Sequence, residues 1–276
     1  MSKRFSLKNG FIHILLILGG IVMLMPFYWM VATSLKSGGN VTKVPPQWIP
    51  NPIDWSYYST VWIKVDFARY TFNSFFIVTL DVIGTLLSCA MVAFGLAMFN
   101  FKLKKTIYLA MLSTLMLPAQ VTMIPGYFIW KSLGGLDTYM PLIVPSFLAG
   151  AFGIFLLHQY YKSVPRELFE AATIDGCGPW RVLWRIYFPL SRSALSALGV
   201  FTFMGAWSNT MGPLLYLHDK KMFTLPLGLL FLSNDTGVQP QLLMAGAVIV
   251  TIPVIIIFII AQKQFVEGIA STGLKG

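Results

Sequence analysis

The polar side chains that could carry chemistry in this sequence are few, and apolar stretches separate them. Asp81, Gln120, His158 and Asn209 each interrupt an apolar run. They do not form the set of serine, histidine and carboxylate that nucleophilic catalysis needs, and they lack the spacing of metal ligands. The sequence therefore predicts neither a catalytic centre nor a metal site.

Three of these residues each allow two interpretations. A carboxylate inside a membrane is costly, so Asp81 should either hydrogen-bond between helices or subunits, or line a path and carry an ion. Asn209 could serve helix packing or contact a substrate. Gln120 lies between Pro118 and Pro125, whose predicted bends could be packing kinks or could line or gate a path. Asp81, Gln120 and Asn209 are the candidate residues of a path through the membrane.

The longest polar interruption that also carries folding signals lies at residues 167–190, and we call residues 163–190 the polar loop. Gly176 suits a left-handed helix cap and Pro179 suits the first turn of a helix, so the loop should contain two short helices. The first should begin after Ser163 as N-cap, with Arg166 and Glu170 paired one turn apart. The second should be amphipathic and lie at the membrane interface. Its apolar face comprises Trp180, Leu183, Trp184 and Tyr187.

The composition is that of an integral membrane protein in contact with membrane lipid. Of the 276 residues, 56% are hydrophobic and only 11% are charged, and the mean hydropathy is +0.71. A soluble domain carries about 25% charged residues. The net charge of +10 does not indicate nucleic-acid binding, because the Lys and Arg residues are dispersed among apolar runs.

Six apolar windows reach the length of about 20 residues that a bilayer-spanning helix needs. They predict an all-α membrane protein with six transmembrane helices in a single domain covering residues 1–276. Pro118 and Pro125 should interrupt or kink the third span twice. The predicted spans are residues 12–34, 72–98, 106–130, 138–161, 193–217 and 241–262.

Lys and Arg residues indicate the orientation, because they concentrate in cytoplasmic segments. They cluster before span one, between spans two and three, and in or beside the polar loop, namely at Lys3, Arg4, Lys8, Lys102, Lys104, Lys105, Lys162, Arg166, Arg181, Arg185 and Arg192. Both termini and the polar loop should therefore be cytoplasmic. The loop at residues 35–71 should be an ordered external segment, whose Trp and Tyr residues lie at the membrane interface or contact a partner protein.

A motif within the polar loop resembles the EAA loop of ATP-binding-cassette importer permeases. Glu170-Ala171-Ala172 is followed after three residues by Gly176, and after nine more by Ile186, one residue and then Phe188-Pro189. Phe188 stands where leucine is usual. Further points of resemblance are Thr33-Ser34-Leu35-Lys36, Asn73-Ser74 and the tail Thr272 to Gly276. Together they resemble the second permease subunit of maltose-type carbohydrate importers, which are multi-pass proteins of the bacterial plasma membrane.

The resemblance implies that the polar loop contains a coupling helix between spans four and five, which docks on a cytoplasmic ATPase. The residues that carry the contact would be Glu167, Glu170, Ala171, Ala172, Asp175 and Gly176. It also implies a homologous permease subunit, two ATPase subunits, an extracytoplasmic solute-binding protein and a carbohydrate substrate. The chain has no phosphate-binding loop of its own, so ATP and magnesium are expected in the partner ATPase and no cofactor is expected here.

Two other functions remain open from the sequence. The same machinery could carry another solute, such as glycerol phosphate, amino acids or a metal chelate. The chain could instead be a self-contained secondary transporter or membrane enzyme that uses Asp81 as its proton-carrying or catalytic group.

Overall fold

The protein is helical throughout the part of the chain that the computed structural model describes, residues 7–41, 43–235, 237 and 239–273. These residues contain no β-strand, only an isolated bridge between Lys36 and Ile53. This confirms the all-α prediction. The α-helices are α1 (Leu7–Ser34), α2 (Ser56–Ser59), α3 (Phe67–Met98), α4 (Lys104–Ser113), α5 (Ala119–Ser132), α6 (Met140–Ile143), α7 (Ala151–Ser163), α8 (Glu167–Ile174), α9 (Pro179–Val182), α10 (Phe188–Leu190), α11 (Arg192–Trp207), α12 (Met211–Tyr216), α13 (Leu225–Asp235) and α14 (Pro240–Gly273). Short 3₁₀ or π turns occupy Gly38–Asn40, Thr60–Lys64, Thr114–Met116, Val144–Leu148, Leu183–Tyr187 and Lys220–Met222.

Four helices within the described residues are long and apolar enough to cross a bilayer. They are Gly10–Ser34, Phe67–Met98, Met140–Ser163 and Pro240–Gln262. A bent pair, Lys104–Met116 and Ala119–Ser132, gives a fifth candidate if it counts as one span. These five coincide with predicted spans one, two, four, six and three. Some residues named in the predictions lie outside the described residues. They are Lys3 and Arg4 before span one, and Lys275 and Gly276 of the tail.

The third candidate span is interrupted between Met116 and Ala119. Its two helices meet at an angle of 101°. Leu117 between them is extended at ψ 120°, because a proline disfavours helical backbone in the residue before it. Pro118 is extended as well, at ψ 137°. Pro125 lies inside α5, which continues past it. The chain is therefore not interrupted at Pro125, and the alternative of a kink there stays a prediction.

The single helix predicted over residues 193–217 is also wrong. Helix α11 has 16 residues and ends at Trp207, so it rises about 24 Å, less than a hydrocarbon core of about 30 Å. A non-helical stretch then precedes α12. Pro213 explains the break, because its ring would clash with the carbonyl of Asn209 in a continuous helix. The Asn209 side chain accepts a hydrogen bond from the Gly212 N–H at 3.0 Å instead.

The described chain divides into two compact units, and the first consists of Met1–Ala68 and Gly228–Ile252. The loop after α1 belongs to this unit and is ordered, as predicted. The Asp54 N–H donates to the Leu35 carbonyl at 2.9 Å. Lys36 is only 1% exposed, and its ammonium lies 4.0 Å from the centre of the Trp29 ring. Burial lowers the pKa of Lys36.

The second unit consists of Arg69–Leu227 and Pro253–Gly276. Its core includes residues of α3, α7, the polar loop and α11, among them Cys89, Leu157, Tyr187 and Leu198. Gly153 allows a close helix contact, since a side-chain β-carbon there would lie 2.6 Å from the Cys89 sulfur. This agrees with the close packing that its small size predicts.

Asp137 joins two loops of the second unit. Its carboxylate accepts hydrogen bonds from the N–H groups of His218 and Asp219, and its own N–H donates to the Tyr216 carbonyl at 2.9 Å. The hydrogen bond from the His218 N–H is the largest cause that holds the pKa of Asp137 below its ordinary value. A carboxyl with a lowered folded pKa stabilises the fold above its unfolded pKa, and this contribution is lost as the pH falls through the folded pKa.

We therefore expect the amides of His218 and Asp219 to lose protection when the pH falls below about 4. Hydrogen exchange, corrected for the intrinsic pH dependence of the exchange rate, would measure this loss. Asp137→Asn keeps an acceptor oxygen but cannot titrate, so the pH step should disappear in that variant. A step of equal size in Asp137→Asn would contradict the role of this carboxylate.

Candidate functional site

The first helix of the polar loop is α8, and it begins later than predicted. Ser163 is the last residue of α7 and donates its hydroxyl to the Tyr160 carbonyl at 2.7 Å. The predicted N-cap at Ser163 is wrong, because Pro165 keeps the preceding residue extended and α8 begins only after it. Arg166 occupies the cap position, and its guanidinium lies 3.2 Å from the Glu170 carboxylate. That predicted pair is confirmed.

The end of α8 is fixed by a Schellman motif. The Cys177 N–H donates to the Ala172 carbonyl at 2.9 Å, and the Gly176 N–H donates to the Thr173 carbonyl at 3.1 Å. Gly176 has φ +76°, where a side chain would be strained. The predicted glycine cap is confirmed, and so is the position of Pro179 in the first turn of α9.

The outer surface of α8 is exposed and chemically mixed. It presents the carboxylates of Glu167, Glu170 and Asp175 beside Ala171 and Gly176. Ile174 is 86% exposed and Leu168 is 43% exposed, so this eight-residue helix offers apolar as well as charged surface. Ala172 is buried within the chain at 7% exposure. The structure therefore separates Ala172 from the other five predicted contact residues.

Aromatic rings support the inner face of α8. Phe169 lies 6.1 Å from Phe94 and 6.1 Å from Phe99, measured between ring centroids. Phe94 also contacts Tyr187 at 5.2 Å and Tyr161 at 6.3 Å. Burial raises the pKa of Tyr187. We call Phe94, Phe99, Tyr161, Phe169 and Tyr187 the aromatic cluster. It joins α8 to α3, α7 and the second half of the polar loop.

Part of the second half of the polar loop packs into this core. Leu183 is 2% exposed and Tyr187 is fully buried, whereas Trp180 is 64% exposed. A π turn over Leu183–Tyr187 separates α9 from α10. The predicted interfacial helix is therefore wrong for Leu183 and Tyr187, because helical periodicity shows that a face is apolar without showing what covers it.

A polar cavity of about 330 Å³ lies between α3, α11 and α12, all in the second unit. Asp81 and Asn209 both line it, so the structure brings these two predicted residues together. Gln120 does not line this cavity, and its side chain is exposed in the first turn of α5. The other polar side chains of the cavity are Ser74, Thr202 and Thr224.

The cavity has hydrogen-bonding groups that the fold does not fully use. Thr224 is 5% exposed, and its hydroxyl has no hydrogen-bond partner within the described residues. A buried polar atom of this kind is costly unless water or a ligand satisfies it. The Ser74 hydroxyl accepts from the Leu225 N–H at 2.7 Å and holds the chain beside Thr224.

Several residues of these sites escaped the sequence interpretation. Thr202 and Thr224 are single polar residues in apolar surroundings, and Phe94 and Phe99 belong to an apolar run that predicts only a membrane helix. Nothing in their spacing predicts that distant segments meet. Only the polar character of Thr202 and Thr224 could have drawn attention to them.

Comparison with known proteins gives full-length relatives. The chain is 30% identical over 278 residues to the arabinooligosaccharides transport system permease protein AraQ of Bacillus subtilis, covering 100% of this chain and 99% of that protein. It is 31% identical over 281 residues to the sn-glycerol-3-phosphate transport system permease protein UgpE of Brucella abortus, covering 99% of each.

A solved structure has the same fold. It is a bacterial ABC transporter involved in the import of the acidic polysaccharide alginate, and its matching chain gives a TM-score of 0.83 at 24% identity, covering 95% of this chain and 98% of that one. The family model described as the inner membrane component of binding-protein-dependent transport systems matches residues 84–271. The chain belongs to this family of binding-protein-dependent transport system inner membrane components.

Proposed function

We propose that this chain is a permease subunit of an ATP-driven carbohydrate importer in the bacterial plasma membrane, and that α8 is its coupling helix. The exposed outer face of α8 carries this proposal. A docking helix must offer both charge and apolar area to its partner. Glu170 and Ile174 supply these on a helix that the Schellman motif holds rigidly at one end.

The partner that receives α8 would be a cytoplasmic ATPase, present in two copies and containing the ATP and magnesium. The aromatic cluster supports this assignment, since a displacement of Phe169 would be transmitted directly to Phe94 of α3 through their ring contact. Glu167, Glu170, Ala171, Asp175 and Gly176 would contact the ATPase. Ala172 would instead hold α8 against its own chain.

The proposed assembly contains one permease domain from this chain, with six spans and both termini in the cytoplasm. The fifth span would consist of α11 and α12 with the break between them. Lys102, Lys104 and Lys105 in a short connection support a cytoplasmic polar loop. A homologous permease subunit would complete the path, and its surface or lipid would cover α1, whose most apolar window has no buried residue.

The substrate would be a carbohydrate without a strong negative charge. Of the described residues that line the polar cavity, only Asp81 is ionisable, and the others offer hydroxyl or amide groups or are apolar. Such groups match the hydroxyls of a sugar. A phosphate placed 4 Å from an ionised Asp81 would be opposed by about 4 kcal/mol for each unit charge at an effective dielectric near 20. Glycerol phosphate, which the name of UgpE gives as its solute, is therefore the second candidate.

Delivery of the solute would depend on an extracytoplasmic solute-binding protein. The family description itself names binding-protein dependence. A second structural neighbour, with a TM-score of 0.63 and 13% identity, is an alginate transporter in complex with a periplasmic protein bound to an alginate pentasaccharide. That complex pairs a transporter with a solute-bound periplasmic protein, and we propose the same pairing for this chain.

The test is reconstitution of the full chain in vesicles, together with the subunits that co-purify with it and its extracytoplasmic solute-binding protein. Uptake of labelled neutral oligosaccharides, an acidic oligosaccharide and glycerol 3-phosphate would be compared with and without ATP. We expect ATP-dependent uptake with preference for a neutral saccharide. Uptake that proceeds without ATP or any ATPase would overturn the assignment and favour a secondary transporter.

Asp81→Asn separates the two roles of this carboxylate. The amide keeps hydrogen-bonding capacity and removes the charge, so we expect uptake of a neutral saccharide to change by less than about threefold and discrimination against glycerol phosphate to weaken. Initial uptake rates for both solutes measure this. If the substitution removes all transport while Glu170 substitutions are harmless, the proton-linked alternative is correct.

A further inference from the structure

A second cavity lies away from the polar one and is lined by apolar side chains. It has a volume of about 400 Å³, and we call it the apolar groove. It lies where the end of α3, the turn after it, α4 and α7 meet. Its lining includes Leu96, Phe99, Phe101, Ile107, Met111 and Ile154. Gly95 also lines the groove, and a side-chain β-carbon there would meet no atom within 4 Å. The groove therefore has room for an apolar chain.

Positive charge borders the apolar groove. The Lys104 ammonium donates a hydrogen bond to the carbonyl of Phe99, a lining residue, at 2.8 Å. An ammonium has three donors, so two remain for another acceptor. Lys162 lies in the last turn of α7, which packs against α4, and Arg166 follows α7 in the chain. Arg166 is partly neutralised by Glu170, but Lys104 and Lys162 have no acidic neighbour in sequence.

The stretch that supplies these charges is strongly one-signed. Lys102 and Lys105 flank Lys104 and are exposed. No Asp or Glu occurs anywhere in residues 82–136. A surface that gathers cations beside an apolar cavity attracts an anion that is itself attached to an apolar group. A neutral lipid would use the groove but not the charges, and a free anion would use the charges but not the groove.

The groove also lies at the level where headgroups are found. One candidate membrane helix ends at Met98 and the next begins at Lys104. The turn between them must therefore lie at a membrane boundary, whichever side of the membrane it faces. The exposed apolar side chains of Phe101 and Leu103 in this turn fit the same position. Basic sites between membrane helices are suited to anionic lipid headgroups.

We propose that the apolar groove binds one acyl chain of an anionic phospholipid, whose phosphate is held by Lys104 with Lys102, Lys105 and Lys162 around it. This proposal does not depend on which solute the protein carries. It assigns the lysines a ligand as well as a part in orientation. It also places a lipid directly beside Phe99, which contacts Phe169 of α8.

The test uses the full chain, purified in a mild detergent together with the subunits that co-purify with it. Phosphatidylglycerol and phosphatidylcholine with identical acyl chains are added, and retained lipid is counted by native mass spectrometry. We expect selective retention of phosphatidylglycerol. The double substitution Lys104→Gln with Lys105→Gln should weaken its binding by about 30-fold, since each lysine near a lipid surface contributes on the order of 1 kcal/mol.

Gly95→Leu is the matched test of the groove, because it fills the open space and leaves every lysine in place. It should also reduce retention of phosphatidylglycerol. Lys131→Gln, at the other end of the bent pair, removes one exposed charge and should have no effect. Circular dichroism would check that each variant stays folded.

Three outcomes would overturn the proposal. Equal retention of the two lipids would show that the lysine charges do not contribute to binding. Unchanged retention of phosphatidylglycerol in Gly95→Leu would show that the lipid does not occupy the apolar groove. Displacement of the lipid by millimolar glycerol phosphate or inorganic phosphate would show that the lysines bind a phosphate from any source, without a contribution from the acyl chain.

Discussion

Glu170→Lys should abolish ATP-dependent uptake while leaving the chain folded. The Glu170 side chain is 60% exposed, and its pair with Arg166 is a surface pair at i,i+4, which contributes only about 0.3–0.5 kcal/mol to folding. At a docking interface the same substitution places a cation where an anion is required, and loss of one buried charged partner costs about 2–5 kcal/mol. That corresponds to roughly 30-fold or more in association with the ATPase.

The measurement is co-purification of the ATPase together with uptake into vesicles. A charge swap gives the matched control. Arg166→Glu combined with Glu170→Arg restores an intrahelical pair but still reverses the charge that the ATPase meets, so we expect it to remain uncoupled. If the swap restores uptake, the pair serves only the helix itself. Normal uptake and normal ATPase association in Glu170→Lys would show that Glu170 of α8 does not contact the ATPase.

Local signals predicted the ends of the polar-loop helices well. Gly176 and Pro179 were correctly placed because a left-handed cap and a first-turn proline depend on backbone conformation within a few residues. The Arg166–Glu170 pair was correct for the same reason. Ser163 failed because the same residue type also suits the last turn of a preceding helix, where its hydroxyl bonds back to a carbonyl.

Tertiary contacts explain what the sequence did not predict. Leu183 and Tyr187 belong to an apolar face, and the choice between lipid and protein as its cover depends on α3 and α7. Asp81 and Asn209 were predicted separately, but only the fold places them on one cavity. Helix α13 was not predicted, because Leu225–Asn234 is apolar but too short to count as a span.

The two prolines of the third candidate span show the same limit of prediction from sequence. Each proline was predicted to interrupt or kink the helix, and Pro118 interrupts it whereas α5 continues past Pro125. A proline costs one intrahelical hydrogen bond in either place. The chain nevertheless turns by 101° at Pro118 and continues as helix α5 through Pro125, so the presence of a proline alone does not predict which outcome occurs.

Phe169→Ala should separate ATP hydrolysis from transport. Its ring is the contact between α8 and both Phe94 and Phe99, and aromatic pairs contribute about 0.5–1.5 kcal/mol each beyond the area that they bury. The outer face of α8 keeps Glu170 and Ile174, so the ATPase should still bind. With the ring removed, movement of α8 should no longer reach α3, and we expect solute transported per ATP to fall by about tenfold.

Phe169→Leu gives the matched control, because it keeps most of the apolar volume and should retain most of the coupling. The ratio of uptake to ATP hydrolysis in vesicles and the amount of bound ATPase should be measured for both variants. A simple folding defect would lower hydrolysis, uptake and ATPase binding in parallel. Retained binding and hydrolysis with lost uptake in Phe169→Ala, and recovery in Phe169→Leu, would identify the aromatic cluster as the connection through which α8 acts on the membrane helices.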